Sequence, residues 1–186
     1  QNTAFLGNLR GLITMIKVLF ICHGNICRST MAESVFTHMV RERGIEDMFE
    51  INSAATSREE IGNTPHYGTV GKLRQVGIPL VPHRAIQMTK EDYQYYDYLI
   101  GMDSANIRNM NRIAGGDPEE KIYKLLTFAG SSRDVADPWY TGDLDATYGI
   151  HLEFTILIQY RTAIDITTIG VILAGLLIGR LAVYIH

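Results

Sequence analysis

Cys22 and Arg28 enclose five residues, H-G-N-I-C, within Ile16–Met31, IKVLFICHGNICRSTM. A thiol and a guanidinium at this spacing suit attack on phosphorus. Sulfur attacks as the thiolate, and helix N-termini and nearby cations lower thiol pKa values to roughly 3.5–7.5. Arg28 offers a planar fork that can grip two phosphate oxygens. The amides of the loop His23–Cys27, with Ile26 among them, can hold the other oxygens as charge moves. Gly24 lets the backbone come close, Asn25 tolerates a left-handed conformation, and Ser29 can donate its hydroxyl to the sulfur. The bare spacing is weak, and a cysteine closing a strand is more often core than nucleophile. The context points to a phosphate site: an apolar strand before, Gly-Asn inside, Arg-Ser at a helix start.

The surrounding chain supplies elements to hold that loop. Ile16–Ile21 reads as a strand, and Ser29–Arg43 as a helix with Met31, Val35, Met39 and Val40 on one face, stopped at Gly44. Phe49–Ala54 is a second strand. Asn63-Thr64-Pro65 signals a helix start running to about Val76. Thr89-Lys90-Glu91-Asp92 resembles a capping arrangement. Tyr96–Met102 is a third strand, followed by a helix that Asp103 caps and that reaches about Ile113. Ile122–Leu126 is a fourth strand, and Gly130–Asp137 a polar loop. Strands alternating with helices predict an α/β fold with a parallel sheet covered on both faces. Ligands bind such sheets beyond the carboxyl ends of the strands, where Cys22, Ser53 and Asp103 all fall.

Composition narrows the class. The 186 residues are 46% hydrophobic and 20% charged, in keeping with one globular domain. A formal net charge of -3 gives no electrostatic case for nucleic acid. Two cysteines on one loop are neither a disulfide framework nor a zinc motif, so a reduced, cytoplasmic setting is expected, with no metal and no cofactor. Cys27 has two readings: a trap for oxidised Cys22 as a reversible disulfide, or a small apolar filler.

Cys22–Glu33, CHGNICRSTMAE, resembles the signature of the low-molecular-weight protein tyrosine phosphatases, C-x-G-N-x-C-R-S-P-M-A-E. Asp137-Pro138-Trp139-Tyr140 resembles that family's late D-P-[WY]-Y element. The resemblance runs from about residue 16 to 148. It implies a four-stranded parallel sheet in the order 2-1-3-4 with helices on both faces. It also implies hydrolysis of phosphotyrosine, or of aryl phosphates, through a phosphocysteine. Cys22 would be the nucleophile, Arg28 the phosphate ligand, and Asp137 the acid and then the base. Trp139 and Tyr140 would wall the phenyl ring. Asn25, Ser29, Ser53 and His83 match positions that brace the loop, although a lone histidine is usually just a satisfied side chain. Asp103 is expected to cap a helix rather than do chemistry.

The chain departs from the family at three positions. His23 stands where apolar or small residues are usual, Thr30 replaces a proline, and Arg58-Glu59-Glu60 lies where mammalian members carry an aromatic rim, which makes Glu59 a candidate substrate contact. The leader, residues 1–14, shows no signal-peptide pattern, and Met15 is a candidate start. The segment 149–186 loses the family match. Its first part alternates like a strand yet also fits a helix face, and the helix is preferred because the fold needs that face covered. The apolar run 166–185 is marginal for a membrane span; an anchor, a buried element or dimer contact, and an altered reading frame all fit it. Two rival functions remain. An arsenate reductase on this scaffold needs further cysteines, and a phosphate-binding adaptor would not need the whole catalytic set.

Overall fold

A computed structural model describes residues 15–152. Strands β1 (Ile16–Cys22), β2 (Phe49–Ala55), β3 (Tyr98–Gly101) and β4 (Ile122–Lys124) form one sheet in the order β2-β1-β3-β4. Every pairing is parallel, and β1 lies between β2 and β3. The helices are α1 (Arg28–Glu42), α2 (Tyr67–Gln75), α3 (Lys90–Tyr95), α4 (Ser104–Ala114) and α5 (Pro138–Thr141). Residues 144–152 form a further helix, α6. The expected sheet and its order are what the structure has.

Period-two alternation along β1 divides the core. Val18, Phe20 and Cys22 face a cluster with Ala32, Phe36 and Val40 of α1, and Ile150 of α6 packs against it. Leu19 and Ile21 face the other way, onto Tyr93 of α3 and Met110 and Ala114 of α4. Both sheet faces are therefore covered, as a parallel sheet requires. The predicted apolar face of α1 splits in two: Val40 lies against the sheet, whereas Met31 and Val35 pack on Leu73 of α2, with Met39 beside them. A helix packed on two sides presents a stripe wider than one face.

Element ends differ from expectation for local reasons. The helix foreseen from Asn63-Thr64-Pro65 starts at Tyr67, because the His66 amide donates to the Ile26 carbonyl at 2.8 Å and holds the chain extended up to that point. His66 then caps α2 by accepting from the Gly68 amide. The third strand is shorter than Tyr96–Met102, since Tyr96 ends α3 and the Asp97 carboxylate accepts from the Lys17 amide at the strand entrance. The fourth strand stops at Lys124, and Leu125 and Leu126 bury themselves in a 3-10 turn instead. Thr89 and Asp92 do form the expected capping box, and Asp103 caps α4. Asp143 accepts from the Ala146 amide at the start of α6, and 144–152 is helical rather than extended. Residues 1–14 and 153–186 lie outside the described residues, and with them the leader and the run 166–185. Among the described residues no helix is long and apolar enough to cross a membrane.

Phe36 joins α1 to the sheet, with its ring edge-on to Phe20 at 5.9 Å and to Phe49 at 5.3 Å. We expect Phe36→Ala to lower the unfolding free energy by about 3–5 kcal/mol, read from urea denaturation.

Candidate active site

The loop between β1 and α1 is held with its carbonyls outward. Those of Cys22, His23, Ile26 and Cys27 accept from the amides of Thr56, Ser57, His66 and Met31. A loop whose carbonyls are engaged by the scaffold has its amide edge to offer an anion. Helix α1 adds to this, for its first turn has no side-chain cap and no acidic residue. Its N-terminal dipole is left for a ligand.

Asn25 fixes the shape of the loop. It takes the left-handed region, φ 57°, which asparagine adopts more readily than most residues. Its Nδ2 donates to Ser29 Oγ and to Ser53 Oγ, both at 2.9 Å. Its Oδ1 accepts from the Ile86 amide at 3.1 Å and from His83 Nε2 at 2.7 Å. All four bonding positions of the amide are used. Ser29 Oγ, already accepting from Asn25, lies 3.1 Å from Cys22 Sγ, so its proton is directed at the sulfur. The Asn25 amide also donates to the sulfur, at 3.3 Å. Behind this row, Ser53 Oγ donates to Glu33 Oε2 at 2.6 Å, and His83 Nδ1 lies 3.7 Å from the same carboxyl. Burial pushes the Glu33 carboxyl up to about 7 against the opposing pull of Ser53, and burial lowers the His83 imidazole. The interior behind the loop thus favours neutral groups on both sides of that contact.

Arg28 is 2% exposed and its guanidinium is surrounded by acceptors. Nη1 donates to Asp103 Oδ2 at 2.7 Å and to the Val135 carbonyl at 3.0 Å. Nη2 donates to Asp137 Oδ2 at 2.5 Å. Burial opposes the charge, but the Cys22 sulfur, Asp137 and Asp103 outweigh it and hold the guanidinium above its ordinary pKa. Asp137 is fixed twice, since its Oδ1 also accepts from the Trp139 amide and caps α5.

Cys22, His23, Gly24, Ile26, Cys27 and Arg28 line a cavity of about 160 Å³ that Glu59, Glu60, Asp137, Trp139 and Tyr140 close from the other side. Every candidate site residue read from the sequence lies in this cavity or in the polar row behind it. His23 and Glu59 meet at the mouth, Nε2 to Oε2 at 3.1 Å. Trp139 and Tyr140 are exposed there. Cys27 is buried, and burial with the neighbouring Cys22 pushes its thiol up to about 12. Both cysteines are free thiols.

Sequence reasoning missed several participants. Asp103 caps α4 as expected, but its second oxygen also grips Arg28. Glu33, the last residue of the loop signature, closes the row behind Ser53. The Val135 carbonyl carries no sequence signal at all. His151 on α6 is fully buried, and burial first, then the charge of Arg28, lowers its imidazole to about 3.

The family model for low molecular weight phosphotyrosine protein phosphatases matches residues 17–155. The chain belongs to that family. It is 41% identical over 133 residues to the low molecular weight protein-tyrosine-phosphatase YfkJ of Bacillus subtilis, covering 70% of this chain and 85% of that protein. To the human low molecular weight phosphotyrosine protein phosphatase it is 40% identical over 135 residues, 69% of this chain and 83% of the human one. The crystal structure of YfkJ superimposes with a TM-score of 0.77 at 35% identity, covering 82% of this chain and 97% of the other. The departures at His23, Thr30 and Glu59 are thus variations within the low molecular weight phosphatase fold.

Two outcomes follow from this geometry. Asn25→Ala removes four side-chain bonds, two of them to the buried Ser29 and Ser53, and puts alanine in a left-handed conformation, so it should cost about 3–5 kcal/mol in urea unfolding and weaken phosphate binding at least about tenfold. Iodoacetamide at pH 6.5 should label Cys22 and spare Cys27, whose raised pKa keeps it a thiol, with inorganic phosphate protecting Cys22. Peptide mass spectrometry reads both.

Proposed function

We propose that the chain hydrolyses phosphotyrosine in proteins, and aryl phosphate monoesters generally, through a phosphocysteine. The observation that carries this reading is the bond from Arg28 to Asp137, 109 residues further along the chain, at the cavity that holds Cys22. A binder needs the loop and the guanidinium; it has no use for a carboxyl at this place.

Substrate phosphate enters with its oxygens on the loop amides and on the Nε–Nη2 edge of Arg28. Nε is buried with no hydrogen-bond partner among the described residues, which supports that edge as the phosphate grip. Asp103 and the Val135 carbonyl keep Nη1 fixed while Nη2 passes from Asp137 to the phosphate. The Cys22 thiolate, with the Ser29 hydroxyl and the Asn25 amide donating to it, attacks phosphorus. The P–O bond to the phenol breaks, and Asp137 gives its proton to the departing oxygen. The Asp137 carboxylate then takes a proton from water as that water attacks the phosphocysteine, and phosphate leaves with the thiolate restored. Trp139 and Tyr140 flank the phenyl ring, and the His23–Glu59 pair sits where residues around the phosphotyrosine pass. A thiolate nucleophile works only while reduced, which supports a cytoplasmic setting.

Wild-type protein should turn over p-nitrophenyl phosphate with EDTA present. Cys22→Ser should abolish turnover while still binding phosphate. Asp137→Ala should slow turnover roughly 10²–10⁴-fold and let phosphocysteine accumulate, detectable by acid quench and intact-mass measurement. Substantial turnover by Cys22→Ser would remove the nucleophile assignment.

A further inference from the structure

Trp139 has a second side that the reaction does not use. Trp139 lines the phosphate cavity and also a separate cavity of about 330 Å³ between α2 and α5. Cys27 and Trp139 are common to both, so the two spaces meet along the indole. The walls of the second cavity are Pro138, Leu144 and the rings of His66 and Tyr67. The His66 ring stands edge-on to Trp139 at 5.4 Å and lies against Tyr67 at 4.2 Å. Among the described residues no carboxylate, lysine or arginine lines it.

Two glycines shape this wall, and Gly68 lets Leu144 and His66 close against α2. A Cβ on Gly68 would meet Leu144 Cδ1 at 2.7 Å and His66 Nδ1 at 3.1 Å. Gly142, also in the lining, takes φ 70°, which side chains rarely adopt. Tyr67 is 83% exposed, a large apolar ring standing at the edge of a hole rather than packed into the core.

We propose that this cavity is a subsite for an apolar side chain flanking the phosphotyrosine of a protein substrate. The inference rests on the reading of the main cavity as a phosphotyrosine site. Continuity decides the occupant: whatever brings a phenyl ring against one side of Trp139 carries its next residues past the other. An extended peptide advances about 3.4 Å per residue, so one or two residues suffice to cross a single indole. The uncharged lining selects leucine or phenylalanine over glutamate, since burying a carboxylate there would leave it without a partner. Trp139 is then both the wall of the phenyl site and the partition that sets the spacing between the two side chains.

The test compares phosphotyrosine peptides carrying leucine, phenylalanine, alanine or glutamate one or two positions to either side of the phosphotyrosine. For wild-type protein, kcat/KM should rise about tenfold from alanine to leucine or phenylalanine at one of these positions, the effect expected of an apolar side chain given a pocket. Tyr67→Ala, which strips an exposed wall, and Leu144→Phe, which fills the space, should each bring that ratio close to one. p-Nitrophenyl phosphate has nothing to place in the cavity and is measured alongside. If wild-type protein fails to hydrolyse it, the phosphatase reading itself falls. If it is hydrolysed but the peptides do not differ, only the subsite falls. A preference that survives both substitutions overturns the proposal, because recognition then lies elsewhere. A preference that fades as enzyme concentration rises also overturns it, assigning the cavity to a second copy of the chain.

Discussion

A guanidinium cannot be buried without acceptors around it, and most of the site follows from satisfying Arg28. Its partners come from three remote places: Asp103 beyond β3, Val135 in the loop after the 3-10 turn, and Asp137 at the head of α5. Strand pairing sets the ends of β1 and β3 side by side, and attachment to one side chain holds the late loop on the same rim. The same bonds leave Nε without a hydrogen-bond partner among the described residues, so structural demand and ligand capacity meet on a single planar group.

The loop is governed by a complementary constraint. Its amides can face an anion only if its carbonyls are engaged elsewhere, and four of them are. Asn25 then locks the turn from within by using every bond its amide can make. The result is a polar row, Cys22–Ser29–Asn25–Ser53–Glu33, running from the cavity into the interior. Donor direction is set along it by the donor-only character of Asn25 Nδ2, which leaves the Ser29 proton to point at sulfur and the Ser53 proton at Glu33.

Much of this was legible in the residues. The strand–loop–helix around Cys22 could be read because it is local: period, glycine, asparagine and Arg-Ser all lie within one short stretch. The sheet order and the part of Asp137 were legible only through resemblance, since nothing local links residue 137 to residue 28. The grip of Asp103 on Arg28 was hidden because capping α4 already accounts for that residue, and one carboxylate can serve two partners. A carbonyl such as Val135's has no residue-type signature. The limit of β3 and the late start of α2 were set by single bonds from outside each element, at Asp97 and at His66. Periodicity cannot register such contacts. The segment after residue 148 fitted both a strand and a helix, with the helix preferred because the fold needs that face covered; residues 149–152 are helical, and Ile150 packs on the cluster that holds Val18 and Phe20.

Helix α1 serves two masters. Its middle, at Phe36, plugs the centre of the hydrophobic core, and its first turn is the uncapped end that faces the cavity. An oxyanion seated there completes a terminus that the protein leaves electrically unfinished. Occupancy and folding are therefore linked equilibria, and a bound oxyanion adds RT ln(1 + [L]/Kd) to the global stability. The melting point should therefore rise with the concentration of oxyanion in the buffer.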